Sequence, residues 1–185
     1  MVNDVVTEAK SKMKATLHVF NEELQAMRSG RASAAMVDRV VVEYYGVETE
    51  LRQLATISTP EPMQILIRPF DKTVAKAIEK AVRESDYNMN PHLDGDVIRI
   101  NLPPLTRERR QELVKFLHKR MEEHRVSIRN IRRTANDDLK ELEKEKLISE
   151  DDLKRGEAEV QKLTNEHIEQ IDVTGKLKEQ DILHV

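Results

Sequence analysis

The sequence has no cysteine and no tryptophan, only five glycines and six prolines, and 3% aromatic residues over 185 positions. Without cysteine there is neither a disulfide framework nor a thiolate metal site, which suits a reducing cytoplasm. Scarce glycine and aromatics argue against a β-sandwich or barrel. No apolar run approaches the ~20 residues that would cross a membrane. Residues 1–14 alternate polar and apolar positions and lack the continuous apolar core of a signal peptide, so a cytoplasmic protein without membrane contact is expected. No glycine-rich loop is present to cradle a phosphate, and the six histidines show no metal-ligand spacing. The pattern therefore calls for no catalytic residues, no metal and no cofactor.

Charge is what the chain has in abundance, at 35% of residues. The net charge of -3 hides an uneven distribution. Residues 107–133 hold 10 Lys and Arg against 4 Asp and Glu, whereas residues 134–185 hold 8 against 15. A basic block of this kind can attract a polyanion, and structured RNA is the expected class.

Three long amphipathic helices account for most of the chain. The first is expected over residues 1–30, capped by Asn3 or Asp4 and ended by Gly30. Its stripe is Val6, Ala9, Met13, Leu17, Phe20, Leu24 and Met27, at spacings of three and four. The second follows Thr106 as cap, with Leu113, Leu117, Met121, His124, Ile128, Ile131, Ala135, Leu139 and Leu142 on one side. Its roughly 40 residues would span about 60 Å. The third starts at a capping box of Ser149 and Asp152. It carries Leu153, Val160, Leu163, His167, Ile168 and Ile171, with Gly156 inside it and Thr174-Gly175 interrupting its end. Histidines on such stripes are expected to be satisfied core residues.

Between the first two helices the periodicity changes. Strands are expected at Val40–Tyr45, Met63–Ile67 and Val97–Leu102, with a short helix capped by Asp71 that buries Val74, Ala75, Ile78, Ala81 and Val82. Tyr44 and Tyr45, adjacent on a strand, should point to opposite faces. The expected class is α+β: a three-helix bundle from residues 1–30 and 105–185, and a small α/β domain over 31–104 with one single-layer sheet under its helix. The connections at Gly30, Arg31, Ala32 and at Pro103, Pro104, Leu105 should act as a hinge.

The candidate binding face lies on the second helix. Relative to its apolar stripe, Arg132, Arg125, Arg129 and Arg133 fall at about 40°, 60°, 100° and 140°, so four guanidinium groups line one flank. Arginine grips phosphate in a bidentate manner and stacks on bases. The competing reading is a solvated face paired to the acidic third helix. Arg28 and Arg31 could extend the anion-binding surface near the hinge, although Arg28 also fits as a dipole-compensating cation at a helix C-terminus.

Several segments together resemble ribosome recycling factor of the bacterial type. They are Arg28-Ser29-Gly30-Arg31-Ala32-Ser33, Val42-Glu43-Tyr44-Tyr45-Gly46, Leu51-Arg52-Gln53-Leu54-Ala55, Leu102-Pro103-Pro104-Leu105-Thr106, Arg129-Asn130-Ile131-Arg132-Arg133 and Ile148-Ser149-Glu150-Asp151-Asp152. They run in order over nearly the whole chain. Arg107 stands where that family often has an acidic residue, and Ala34 where it often has proline. The resemblance implies an L-shaped monomer whose bundle holds large ribosomal subunit RNA, with Arg129 and Arg132 matching and Arg28, Arg31 and Arg133 as neighbours. It implies a factor that binds the post-termination ribosome and, with elongation factor G and GTP, promotes subunit dissociation, with elongation factor G pushing on the α/β domain and the hinge. The alternative is a helical coiled-coil adaptor or chaperone without RNA binding.

Overall fold

A computed structural model describes residues 1–85 and 89–184. Packing divides the chain into two compact units, Met1–Leu24 with Glu112–Gln180, and Gln25–Gln111 with Asp181–Val185. The divisions fall inside three long helices, so one end of each belongs to the second unit.

Those helices are α1 (Val2–Ala26), α4 (Arg107–Lys144) and α5 (Glu150–Leu183). The first unit is built from them alone. Their stripes supply its core: Met13, Phe20, Leu117, Ile128, Leu139, Val160 and Ile171 are all fully buried. Thr106 caps α4 by accepting from the Arg109 N–H at 3.1 Å. With no proline or glycine among its 38 residues, α4 runs for about 57 Å. Ser149 and Asp152 form the expected reciprocal box, Asp152 N donating to Ser149 Oγ at 3.1 Å and Ser149 N to Asp152 Oδ2 at 3.2 Å. His167 is buried and satisfied, its Nδ1 lying 2.7 Å from the Leu163 carbonyl.

Two helix expectations are corrected. First, α1 begins at Val2, ahead of Asn3 and Asp4, because the Met1 carbonyl accepts from the Asp4 and Val5 amides and the terminal amine pairs with Asp4 at 2.7 Å. It also stops at Ala26, four residues short of Gly30. Secondly, α5 passes without a break through Thr174-Gly175, while Gly156 lies inside the helix as expected. Both glycines are buried. A β-carbon on Gly156 would stand 3.0 Å from Leu139 Cδ1 and 3.1 Å from Val2 Cγ1, and one on Gly175 would stand 3.0 Å from Met121 Cγ. These residues are small so that neighbouring helices can approach, and packing outweighs the propensity cost of about 1 kcal/mol each.

The second unit contains two sheets, where a single one was expected. A hairpin of β1 (Val41–Tyr44) and β2 (Val47–Glu50) turns at Tyr45-Gly46, both in the left-handed region with φ of 48° and 79°. A four-stranded antiparallel sheet has the order β3-β4-β6-β5, from β3 (Ala55–Glu61), β4 (Gln64–Pro69), β5 (Pro91–Asp94) and β6 (Val97–Asn101). One-turn α2 (Leu51–Leu54) joins β2 to β3, and α3 (Ala75–Glu84) follows β4. Asp71 caps the turn before α3 by accepting from the Thr73 N–H at 2.9 Å. Ile65 pairs with Ile100 and Ile67 with Ile98, and these four are fully buried in one cluster with Ile78 and Val82 of α3.

The turn also corrects the placement of the two tyrosines. Because Tyr45 leaves the strand at positive φ, its ring swings back and meets Tyr44 edge-on, with centroids 4.6 Å apart. Tyr44 is half-buried and donates to Asp71 Oδ2 at 3.3 Å, whereas Tyr45 is 79% exposed.

Candidate nucleic-acid interface

In the first unit the flank of α4 carries Arg125, Arg129, Arg132 and Arg133 in differing states. Arg125 is the most heavily paired. Its Nε and Nη2 both donate to Asp172 Oδ1 on α5, at 2.8 and 2.5 Å, and its Nη1 donates to Glu122 at 3.1 Å. Burial works against its charge, but Asp172 and Glu122 more than offset that and raise its pKa. Arg129 Nη1 donates to the other Glu122 oxygen at 2.9 Å. Hydrogen bonds from Arg129 and then Arg125 hold the Glu122 carboxyl below its ordinary value. Arg132 Nη1 donates to Gln161 Oε1 at 3.1 Å. Arg133 is exposed and makes no hydrogen bond or ion pair among the described residues.

The flank therefore grades from a guanidinium locked between two carboxylates to one that is exposed and has no partner among the described residues. Helical phase brings the four side chains to one side of α4, as the sequence spacing requires. The pairing to α5 is real for Arg125, and α5 offers Arg132 only an amide. Asp172, Gln161 and the Glu122 bridge could not be read from the sequence, because they depend on the register between α4 and α5.

On the opposite flank, Glu23 of α1 receives Arg120 and His124 of α4, with Nε of Arg120 at 3.0 Å and Nε2 of His124 at 3.1 Å. His124 is buried with its ring 5.0 Å from that of Phe20. This arrangement ties two helices together.

Arg28 and Arg31 belong to the second unit. Arg28 donates through Nη2 to the Pro103 carbonyl, and its Nε is buried without an acceptor among the described residues. Burial first, and then the Arg109 charge, push its pKa down. Arg31 is exposed and makes no such bond among the described residues. Arg110, which the sequence reading passed over, donates to the Leu183 carbonyl at 3.2 Å.

The residues assigned to the hinge lie in the same unit. Ala32 N donates to the Pro62 carbonyl at 2.6 Å and Leu102 N to Met63 at 2.8 Å, while Pro103 and Pro104 are exposed and Leu105 is half-buried. Among the described residues there is no group of three or more His, Asp or Glu that could hold a metal ion, and no helix is long and apolar enough to cross a membrane.

The comparisons with known proteins agree with one another. The family model described as ribosome recycling factor matches residues 20–183. The ribosome-recycling factor of Carboxydothermus hydrogenoformans is 52% identical over the full length of both chains, and that of Geobacillus thermodenitrificans is 49% identical over the same extent. A solution structure of the ribosome recycling factor superposes with a TM-score of 0.81 at 46% identity, covering 100% of this chain and 98% of the other. Another solved structure places the T. thermophilus ribosome recycling factor with the E. coli elongation factor G on the E. coli post-termination complex; its TM-score is 0.68 at 45% identity over 99% of both chains. On this full-length likeness in sequence and in fold, the chain belongs to the ribosome recycling factor family.

Proposed function

We propose that the chain binds the post-termination ribosome and, with elongation factor G and GTP, promotes dissociation of its subunits. Its placement in the family carries this reading, and the T. thermophilus relative with elongation factor G on the post-termination complex supports it. The ligand of the α4 flank is large ribosomal subunit RNA. Arg133 and Arg132 meet phosphate first, having no carboxylate partner, and Arg129 joins by exchanging Glu122 for RNA. Arg125, held by two carboxylates, acts mainly by shaping the flank. Arg28 and Arg31 add a second anion-binding point.

The chain works in the cytoplasm as a monomer and is not an enzyme. The observation behind the monomer is that Met13, Phe20, Leu117, Ile128 and Ile171 are fully buried within one chain, so the apolar stripes are used up internally. A helical adaptor would need them between chains. Energy for splitting comes from the partner's GTP, and the stretches at Gly30, Arg31, Ala32 and at Pro103, Pro104, Leu105 are the hinge that yields under that load.

The test is cosedimentation with isolated large subunits across a salt series. Four or five neutralised phosphates should give a log–log slope of about -4, at roughly -0.9 per contact as for duplex DNA. A slope near zero would remove the arginine flank as the RNA contact.

A further inference from the structure

Four side chains reach from α4 to α5 along one seam of the first unit, at intervals of seven or eight residues that return to the same side of a helix. At three of these rungs a carboxylate stands opposite the basic group. His118 Nε2 lies 2.9 Å from Glu179, Arg125 Nε is 2.8 Å from Asp172, and Lys140 Nζ is 3.8 Å from Glu157. The remaining rung has a different chemistry. Arg132 Nη1 donates to Gln161 Oε1 at 3.1 Å, and Gln161 Nε2 donates in turn to Asn165 Oδ1 at 2.8 Å.

A neutral amide oxygen fixes the direction of a guanidinium by a hydrogen bond but leaves its charge uncancelled. A carboxylate in the same place would add a full opposite charge to the hydrogen bond and would compete with any incoming phosphate. A guanidinium can only donate, so Arg132 takes the oxygen end of Gln161. The Asn165 carbonyl oxygen accepts from the amide nitrogen at the other end and braces the side chain in that orientation. The seam is thus an ion-pair ladder with one neutral rung, and that rung belongs to an arginine of the proposed RNA contact.

We propose that Gln161 is a positioning residue for ribosomal RNA binding, whose neutral amide, oriented by Asn165, aims Arg132 while leaving its charge available to a phosphate. This rests on the reading that Arg132 touches RNA. It accounts for a feature that helix packing alone does not require, since a glutamate would fit the same place and form a stronger bridge.

The experiment measures binding of the full-length chain to isolated large subunits over a salt series, for wild type, Gln161→Glu, Arg132→Ala and the double variant. Gln161→Glu should weaken binding about tenfold and reduce the magnitude of the salt slope by about one, because one cation is neutralised internally. Its thermal midpoint should be no lower than that of wild type, so a folding defect would not explain the loss. The double variant should bind no more weakly than Arg132→Ala alone. If Arg132→Ala weakens binding but Gln161→Glu does not, the proposal is overturned and the RNA reading stands. If Arg132→Ala binds as wild type, the reading of Arg132 fails and the proposal with it. If the double variant loses a further tenfold relative to Arg132→Ala, the new carboxylate repels RNA directly, and the positioning role is overturned.

Discussion

Glu23 of α1 receives two nitrogens of Arg120 on α4, Nε at 3.0 Å and Nη2 at 2.5 Å, in a two-point ion pair that bridges the helices. The same carboxylate accepts His124 at 3.1 Å. Glu23 and Arg120 are both under a third exposed, so solvent screens them only in part. Removing the acceptor leaves a partly buried guanidinium and a buried imidazole unsatisfied. Glu23→Ala should therefore destabilise the chain by about 2–3 kcal/mol in denaturant unfolding. A loss below about 0.5 kcal/mol would place the pair with ordinary surface ion pairs.

The same carboxylate shapes the response to acid. Burial pushes the Glu23 carboxyl up, but hydrogen bonds from Arg120 and His124 and their charges outweigh it, leaving its pKa below 4.5. Asp152 is held down by Ser149, and Glu122 by Arg129 and Arg125. In each case the folded state binds protons less readily than the unfolded one. Their stabilisation is present above the ordinary carboxyl range and is lost as pH falls through the lowered folded values. Thermal midpoints should change little from these groups between about pH 7 and 5 and drop below about pH 4. Glu23→Gln should flatten the acid limb, and an unchanged limb would show that Glu23 contributes nothing to it.

Gly175 packs against the Met121 side chain, which must shift to admit a larger residue, a β-carbon there standing 3.0 Å from Met121 Cγ. Gly175→Val should lower stability by about 1–3 kcal/mol through overpacking. Met121→Ala in the same chain should recover part of that loss, because it vacates the space the valine needs. Thermal unfolding of both single variants and the double variant measures the coupling; strict additivity would mean that the two sites do not compete for one volume.

What could be read ahead of the structure follows from how local each signal is. The stripe from Leu113 to Leu139 and the phase of the four arginines are set by the 3.6-residue period, so helix and flank were both legible. Strands β4 and β6 were legible because Ile65, Ile67, Ile98 and Ile100 are central and buried. The sheet edges were not, since β3 and β5 carry Pro60 and Pro91 and are mostly exposed. Gly175 misled because glycine in a helix has the same appearance whether it breaks the helix or admits a neighbour. The partners Asp172 and Gln161 depend on the turn between α4 and α5, where Lys146 takes a φ of 60° and Leu147 N caps the Leu142 carbonyl at 2.9 Å. No glycine marks that turn, so nothing local announced the register.

Gly30 offers the sharpest separation of binding from subunit splitting. A β-carbon there would stand 3.5 Å from the His184 carbonyl, an ordinary contact. Gly30→Ala should accordingly fold and act as wild type, which makes it the control for space. Gly30→Pro instead fixes φ near -65° and removes the amide N–H. If the stretch from Gly30 to Ala32 works as a hinge, this variant should bind large subunits with wild-type affinity yet release several-fold fewer of them per unit time with elongation factor G and GTP. Light scattering of post-termination ribosomes reads the splitting, and cosedimentation reads the binding. Undiminished splitting by Gly30→Pro would mean that motion at this position is not needed, and would shift the moving element elsewhere in the chain.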